Sequence, residues 1–367
     1  MATRPGDIAL GPDHPTLDGL PQVGLRMDGD RVVAGQWLPG TVHRGAEKLF
    51  ESRDYRQILM LVDRHDWLSA FCSEIGVVVG VERALGLTPP HRAQHLRILL
   101  CELTRIAHHL AFLAPLPGDL PGPWRSAAWA WRESILDLLE AATGHRVHPM
   151  FAQVGGVRAD VSDAWVAEVA RAAGSWSAPD SPHLTALDGP ELADVLDTDY
   201  ADVAHLSRDQ ALGLGASGPV ARASGVDLDL RRDDPYLPYP SFAVAVATAG
   251  DARARIRLLV EEIATSIALV AWACEHLEGS AGQPVDVRLP KVLRVPEGAS
   301  YTWTENPTGI NGYLLVSRND RTPWRLKLRS AGFGNAAALG PALTGTRARD
   351  LPAAVASFLL VCGDVDR

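Results

Sequence analysis

Cysteine is scarce in this chain, and its few cysteines are scattered. Cys72, Cys101, Cys274 and Cys362 lie far apart, so the sequence contains no CxxC pair. Structural zinc sites and iron–sulfur clusters are usually held by closely spaced cysteines. The sequence therefore predicts no metal centre of either kind. The four residues are interpreted as reduced thiols in the core or at the surface.

Long apolar runs are also missing. The longest strongly apolar stretches cover residues 75–81 and 263–274, whereas a membrane-spanning helix needs about 20 apolar residues. Residues 1–7 contain no apolar run of the kind found in a secretory signal. Any association with a membrane is therefore expected to depend on partner proteins.

The chain has no excess of positive charge. It carries 35 Lys and Arg against 44 Asp and Glu, for a net charge of −9. This balance argues against a general nucleic-acid-binding surface. With 367 residues, 47% of them hydrophobic, the chain is long enough to bury a large core.

Hydrophobic periodicity predicts that the middle of the chain is helical. Helices are predicted over residues 66–85, 91–113, 129–142 and 163–173, along the apolar stripe from 256 to 274, and over 351–361. Residues 175–250 are rich in Pro, Gly, Ser and Asp, which predicts short helices and ordered loops.

Alternation of period two predicts small β hairpins at both ends of the chain. One hairpin is predicted over residues 23–33 with its turn at 28–30, and another joins 313–317 to 324–329. The predicted fold class is mainly α, a helical bundle with small peripheral β hairpins. We predict a single domain over 1–367, with an N-terminal loop and hairpin over 1–40, a helical core over 41–280, and a β hairpin and C-terminal tail over 281–367.

Charged residues interrupt the predicted helix over 91–113. Glu102 and Arg105 are three residues apart among leucines and isoleucines, and His108 and His109 follow one turn later. Any one of these could form a surface ion pair worth under about 1 kcal/mol. Taken together on a buried helix they require polar partners, and so they predict an internal polar network.

Short motifs of different sequence are distributed along nearly the whole chain. They are Gly11-Pro12-Asp13-His14-Pro15, His43-Arg44-Gly45-Ala46-Glu47-Lys48, Asp63-Arg64-His65-Asp66-Trp67, Arg92-Ala93-Gln94, Glu102-Leu103-Thr104-Arg105, Gly144-His145-Arg146-Val147-His148, Gly155-Gly156-Val157, Ser217-Gly218-Pro219, Asp229-Leu230-Arg231, and Gly363-Asp364-Val365-Asp366-Arg367. The succession resembles the 49 kDa (D-type) subunit of respiratory complex I, the NADH-quinone oxidoreductase. That family is related to the large subunit of nickel–iron hydrogenases.

The resemblance implies a fold and a place in a larger enzyme. The fold would be of the hydrogenase large-subunit type, but the two CxxC pairs that hold the hydrogenase metals are absent, so no such centre can form. The chain would be a peripheral-arm subunit on the cytoplasmic face of the cell membrane. Its implied partners are the terminal iron–sulfur (B-like) protein, a C-like protein and the membrane-arm subunits. It would bind no metal, flavin or NADH itself, and electrons from NADH would arrive through neighbouring subunits.

The resemblance also assigns two residues near the partner's terminal cluster. Arg44 matches an arginine beside the cluster, and His148 matches a histidine that hydrogen-bonds near it. A neighbouring cation or N–H donor stabilises the reduced form of a cluster. A histidine near its reference pKa can couple reduction to protonation.

The quinone side of the implied cavity differs from the family pattern. Asp18 occupies the position of a headgroup histidine, and Trp67 that of a headgroup tyrosine. Asp119 matches the aspartate that orients the histidine, and His14 belongs to the same N-terminal loop as Asp18. Because both headgroup positions are changed, an alternative stays open. The chain could be a divergent structural or assembly paralogue, or it could serve an oxidoreductase with a different acceptor.

Overall fold

Helices dominate the architecture, and small antiparallel sheets flank them, so the prediction of a mainly α protein with β hairpins is confirmed. The computed structural model describes residues 7–10, 22–178 and 180–367; for residues 7–10 and Leu184 it describes the backbone only. The helices are α1 (Ala46–Phe50), α2 (Leu59–Val62), α3 (Ala70–Leu85), α4 (His91–Leu113), α5 (Gly122–Thr143), α6 (Asp163–Trp176), α7 (Pro182–Leu187), α8 (Pro190–Val195), α9 (Arg208–Gly213), α10 (Gly218–Arg222), α11 (Leu230–Asp233), α12 (Ala252–Leu277), α13 (Ala331–Leu343), α14 (Leu351–Ala356) and α15 (Cys362–Asp366). A π-helical turn covers Leu196–Tyr200 and a 3₁₀ turn covers Ala348–Asp350.

The two longest helices, α4 and α12, pack along each other at the centre of the bundle. Helix α5 lies against α4, and α6 lies against α12. Nearly every residue of α4 is buried, which is how a helix behaves when neighbours surround it on all sides. The charged residues of α4 are therefore internal.

Three small sheets border the bundle. The strands are β1 (Asp7–Leu10), β2 (Val23–Asp28), β3 (Arg31–Trp37), β4 (Ala152–Gln153), β5 (Gly156–Val157), β6 (Gly298–Asn306), β7 (Gly309–Ser317) and β8 (Arg325–Arg329). They form the antiparallel sheets β1-β2-β3, β4-β5 and β6-β7-β8. The predicted hairpin turns at Gly29 and Asn319 both contain left-handed backbone, with φ values of 58° and 54°.

Several predicted boundaries are wrong for identifiable reasons. Helix α3 begins at Ala70 rather than at residue 66, because Asp66 instead accepts hydrogen bonds from the backbone and side chain of Ser69 in a turn. Helix α5 begins earlier than predicted, at Gly122, with a proline in its first turn, where the missing N–H costs nothing. The predicted helix over 351–361 ends at Ala356, and Leu359 has left-handed backbone.

Several elements are absent from the sequence-based prediction, and the longest of them are β6 and α13. One core cluster of apolar side chains extends from Val23 to Val365, and all four cysteines are buried and free. The single-domain assignment stays a prediction. Among the described helices, none is both long and apolar enough to cross a bilayer.

Close packing of α3 on β7 generates a stability prediction. A Cβ atom at Gly76 would lie 2.0 Å from Cε2 of the buried Tyr313 ring, so Gly76→Ala should lower the free energy of unfolding by about 1–3 kcal/mol through overpacking. Chemical denaturation followed by circular dichroism measures the change.

Gly174 is the matched control, because it lies in helix α6 with nothing within 4 Å of an added Cβ. Gly174→Ala should stabilise the protein by up to about 1 kcal/mol, since alanine is the better helix former. Equal effects of the two substitutions would contradict the packing argument.

Candidate functional site

A pocket of 350 Å³ lies where four separate segments of the chain meet. The segments are residues 42–46, residues 61–67, His148 and the tail from Gly363 to Arg367. The structure thus brings together Arg44, Trp67 and His148, which lie far apart in the sequence. Arg64 and Arg367 also line the pocket and make its wall basic.

The C-terminal tail fixes the loop that carries Arg44. The Asp366 carboxylate accepts hydrogen bonds from the backbone N–H of Gly40 at 2.7 Å and of Val42 at 2.9 Å. The side chain of His43 binds the backbone carbonyl of the same aspartate at 2.7 Å. These contacts leave the next side chain, Arg44, exposed at the pocket.

Asp63 lies directly behind the pocket and is fully buried. Its carboxylate approaches His148 Nδ1 at 3.4 Å and Arg64 Nε at 3.5 Å, but neither carboxylate oxygen has a hydrogen-bond partner. Burial raises the pKa of Asp63 to about 6, against the opposing charges of Arg64 and His65. Burial lowers the pKa of His148, and the charges of Arg64 and Arg44 lower it further.

A second group of buried carboxylates stands deeper behind the same wall. His65 Nδ1 lies 3.1 Å from Asp364 Oδ1, and both side chains are buried. Burial and the nearby Asp364 raise the pKa of Asp66 to about 7, although Ser69 donates a hydrogen bond to it. The region therefore holds two acids, Asp63 and Asp66, whose pKa values lie near neutrality, a common property of functional sites.

Trp67 forms part of the pocket wall and separates it from a second, narrow cavity. That cavity lies between α3, α4 and α5 and is lined largely by apolar side chains such as Phe71 and Leu136. Gly363 packs so closely on the indole that an added Cβ would lie 2.4 Å from Cζ3. The indole can donate a hydrogen bond through its N–H, but it supplies no catalytic proton.

Not every residue that the sequence assigned to the site is placed at this pocket. Asp119 is exposed in the loop between α4 and α5 and does not line the pocket, so its role stays a prediction. His14 and Asp18 lie outside the described residues. Within the described ranges, no three His, Cys, Asp or Glu side chains converge as they would on a metal ion.

Arg64, which lines the pocket, and Asp63, which lies behind it, are among the residues of this region to which sequence reasoning gave no role. Both belong to the Asp63–Trp67 motif. Nothing in their spacing shows that this motif faces His148 across a gap of more than eighty residues. Only the tertiary structure supplies that contact.

A separate buried polar network confirms the prediction made for α4. The Glu102 carboxylate accepts hydrogen bonds from Arg231 at 2.9 Å, Arg105 at 3.2 Å, Ser266 at 2.8 Å and Tyr239 at 2.9 Å. Apart from Arg105, these partners come from elements other than α4. Glu102 therefore ties α4 to α11, α12 and the loop that follows α11.

The network continues through a third arginine, Arg222. Arg222 binds Glu262 at 2.6 Å and Glu305 at 2.7 Å. His109 lies 3.1 Å from Glu262 on the other side. Although burial opposes ionisation of Glu262, the charge of Arg222 and the hydrogen bond from His109 lower its pKa to about 2.

Comparison with known proteins identifies the family of the chain. The family model described as "Respiratory-chain NADH dehydrogenase, 49 Kd subunit" matches residues 125–293 and 287–367. The second D-type subunit of the NADH-quinone oxidoreductase of Salinispora tropica is 46% identical over 366 residues, which are 98% of this chain and 92% of that protein. The chain belongs to the 49 kDa subunit family of respiratory-chain NADH dehydrogenase. The resemblance seen in the motifs is thereby confirmed.

More distant members of the 49 kDa subunit family also align over the full length. The D-type subunit of the NADH-quinone oxidoreductase of Clostridium beijerinckii is 34% identical, over 100% of this chain and 98% of that protein. A solved structure with a TM-score of 0.89 and 28% identity covers 98% of each chain. It is described as the membrane-bound sulfane sulfur reductase, an archaeal respiratory membrane complex. The family fold is therefore shared with a complex named for a different acceptor.

Adjacent arginines allow a direct test of the buried network in this member of the 49 kDa subunit family. Arg231 is fully buried between Glu102 and Asp229, so Arg231→Met should cost about 3–5 kcal/mol of unfolding free energy by leaving buried carboxylates unpaired. Denaturant titration measures this loss.

Arg232 is the control, because its partners Asp227 and Asp233 are partly exposed. Arg232→Met should cost at most about 1 kcal/mol. If the Arg231 variant were as stable as the Arg232 variant, the network would not have the structural role described.

Proposed function

We propose that this chain is the peripheral-arm subunit of a complex I-like NADH:quinone oxidoreductase. It would have the hydrogenase large-subunit fold, form a quinone cavity with the terminal iron–sulfur protein and support electron transfer from NADH to quinone. The observation that carries the proposal is the convergence of Arg44, Trp67 and His148 on one open pocket. The full-length similarity to proteins named as D-type subunits of NADH-quinone oxidoreductase supports it.

The basic wall of the pocket suits the neighbourhood of a reduced cluster. Arg44, Arg64 and Arg367 line the pocket together, and positive charge favours the more negative, reduced form of an iron–sulfur cluster. His148 is half-buried beside them and can exchange a proton with solvent as that charge changes. In this proposal the partner holds the cluster, and this chain supplies the surrounding charge.

The quinone headgroup would lie against the Trp67 side of the pocket. The aromatic ring of Trp67 offers a stacking surface and an N–H donor. The N-terminal loop with His14 and Asp18 would complete the headgroup site, with Asp119 contributing from the α4–α5 loop. Compared with the family pattern, the proposed site thus keeps the residues near the cluster and has different residues at the quinone headgroup.

The proposed surroundings follow from the family. The chain would lie on the cytoplasmic face of the cell membrane, bound to B-like and C-like proteins of the peripheral arm and, through them, to membrane-arm subunits. It would itself bind no metal, flavin or NADH, which its partners would use.

One observation favours a second candidate function. The related solved structure belongs to a complex described as a sulfane sulfur reductase, so this fold is found with an acceptor other than quinone. In this chain the two headgroup positions carry Asp18 and Trp67. The alternative is therefore a subunit of an oxidoreductase with a different acceptor, or a structural or assembly paralogue without quinone chemistry.

Affinity purification from membranes tests these candidates. The proposed function requires the tagged chain to co-purify with an iron–sulfur protein and membrane-arm subunits, and the complex to reduce a short-chain quinone with NADH. A complex that assembles but reduces only another acceptor would favour the alternative. A chain recovered without iron–sulfur partners would contradict both redox functions.

Arg44→Ala should lower the midpoint potential of the partner's terminal cluster, because a neighbouring cation is lost. A tenfold change in the reduction equilibrium corresponds to about 59 mV for one electron, and we expect a shift of that order. EPR-monitored redox titration of the intact complex measures it. Arg349→Ala is the control, since Arg349 is exposed, pairs with Asp350 and does not line the pocket. Identical titrations for the Arg44 variant and the wild type would refute the assigned role.

Restoring the family's headgroup residues should increase quinone reduction. The double substitution Asp18→His with Trp67→Tyr supplies two proton donors, and general acid catalysis typically contributes about 10²–10⁴-fold in rate. Steady-state turnover with ubiquinone or menaquinone analogues is the measurement. Each single substitution should do less, because the two residues act on one headgroup. If the unmodified complex already reduces common quinones at normal respiratory rates, the pair is dispensable here.

A further inference from the structure

We propose that Asp63 and His148 form a proton-sharing pair, in which the Asp63 carboxylate orients the imidazole of His148 and sets the pH at which the pair takes up a proton. Asp63 is then a positioning residue that acts through His148. The inference rests on the proposed function only where it assigns His148 to the vicinity of the partner's cluster.

The geometry joins two groups that otherwise lack partners. Both oxygens of Asp63 and Nδ1 of His148 are buried without a hydrogen-bond partner, and Nδ1 lies 3.4 Å from Oδ2. Buried polar atoms in native proteins are normally paired, and an unpaired one costs about 1–3 kcal/mol. If Nδ1 carries the proton, Nδ1–H directed at Oδ2 pairs the imidazole nitrogen with one of the two carboxylate oxygens.

The segment that carries His148 is held in place from helix α3. The buried carboxylate of Glu74 accepts hydrogen bonds from the backbone N–H of Met150 at 2.8 Å, of Phe151 at 3.0 Å and of Ala152 at 2.9 Å. Met150 has left-handed backbone, with φ of 44°, a conformation that costs energy in a non-glycine residue and persists only when its surroundings impose it. Glu74 therefore anchors the chain two residues beyond His148 and keeps the ring beside Asp63.

The charged groups around the pair come from every neighbouring segment. On the Asp63 side they are Arg64, His65 and Glu74, with Asp66 and Asp364 beyond His65. On the His148 side they are Arg64, Arg44 and His145. The cations oppose protonation of the imidazole, whereas Asp63 is the carboxylate in contact with the imidazole and favours it. Asp63 is thus the local carboxylate that opposes the lowering of the His148 pKa by burial and by the arginines.

The proton balance of the pair is simple. With Asp63 ionised and His148 neutral the pair carries one negative charge, and one proton taken from solvent makes it neutral overall. When an electron from the reduced nicotinamide donor reaches the partner's cluster, the added negative charge favours this uptake. No bond other than the N–H bond forms, and the electron stays on the partner.

Histidine titration by NMR tests the pair directly in the full chain. In protein labelled with ¹⁵N-histidine, His148 is assigned by the loss of its resonance in His148→Gln. Asp63→Asn should lower the pKa of His148 by about one unit or more, because an adjacent opposite charge favours the protonated form by that amount. Asp160→Asn is the matched control, since Asp160 pairs with Arg92 and not with a pocket residue. An unchanged pKa in folded Asp63→Asn protein overturns the pair.

Redox titration of the assembled complex separates this inference from the proposed function. If the proposed function and the Asp63–His148 pair are both correct, the cluster's midpoint potential should vary with pH over a range about one pH unit lower in Asp63→Asn. The range should not move in Asp160→Asn. If His148→Gln leaves that pH dependence intact, the proposed role of His148 beside the cluster is wrong, and the NMR result alone decides the pair. A third outcome is that Asp63→Asn lowers the pKa of His148, and the pH dependence of the midpoint potential requires His148, but its pH range does not move in Asp63→Asn. That outcome would overturn the claim that Asp63 sets proton uptake.

Discussion

Neutralisation of the charges inside helix α4 is the constraint on which the rest of the structure depends. Glu102 is fully buried, and an isolated buried carboxylate costs several kcal/mol. Its partners Arg231 and Ser266 come from α11 and α12, while Arg105 reaches the backbone of β6. The position of each of these elements is therefore defined by direction-dependent hydrogen bonds as well as by apolar packing, which alone would tolerate several alignments.

The molecule contains two buried polar regions with opposite properties. Around Glu102 both carboxylate oxygens accept hydrogen bonds, and the guanidinium groups of Arg105 and Arg231 donate them, with Arg105 Nη1 the one atom of these groups that is buried and unpaired among the described residues. Around Asp63 the carboxylate oxygens, His65 Nε2 and His148 Nδ1 remain unpaired, and burial raises the pKa of Asp63 to about 6. The satisfied region belongs to the framework, and the unsatisfied one borders the pocket. Such a division is typical of proteins in which stability and chemistry are located at different sites.

Sequence patterns predicted the elements that are determined by residues close together in the sequence. The apolar stripe of α4 predicted both of its ends correctly, and the charges on it predicted an internal network. Helix α13 escaped prediction because Gly334, Gly340 and Pro341 are typical helix breakers. Tertiary packing requires them, since a Cβ at Gly340 would lie 2.3 Å from the backbone oxygen of Gly35. Arg44, Trp67 and His148 were found through the family resemblance, whereas the contact of Asp63 with His148 depends on long-range geometry that spacing does not encode.

The contacts between the C-terminal tail and the Arg44 loop have a consequence for how the protein folds. Asp366 and Gly40 are 326 residues apart, so closing this contact early would cost more chain entropy than closing any local turn. Contacts of such high sequence separation slow folding and form mostly after local structure. The pocket is therefore expected to appear among the last features to form. A partner that docks there would recognise only molecules whose folding is complete.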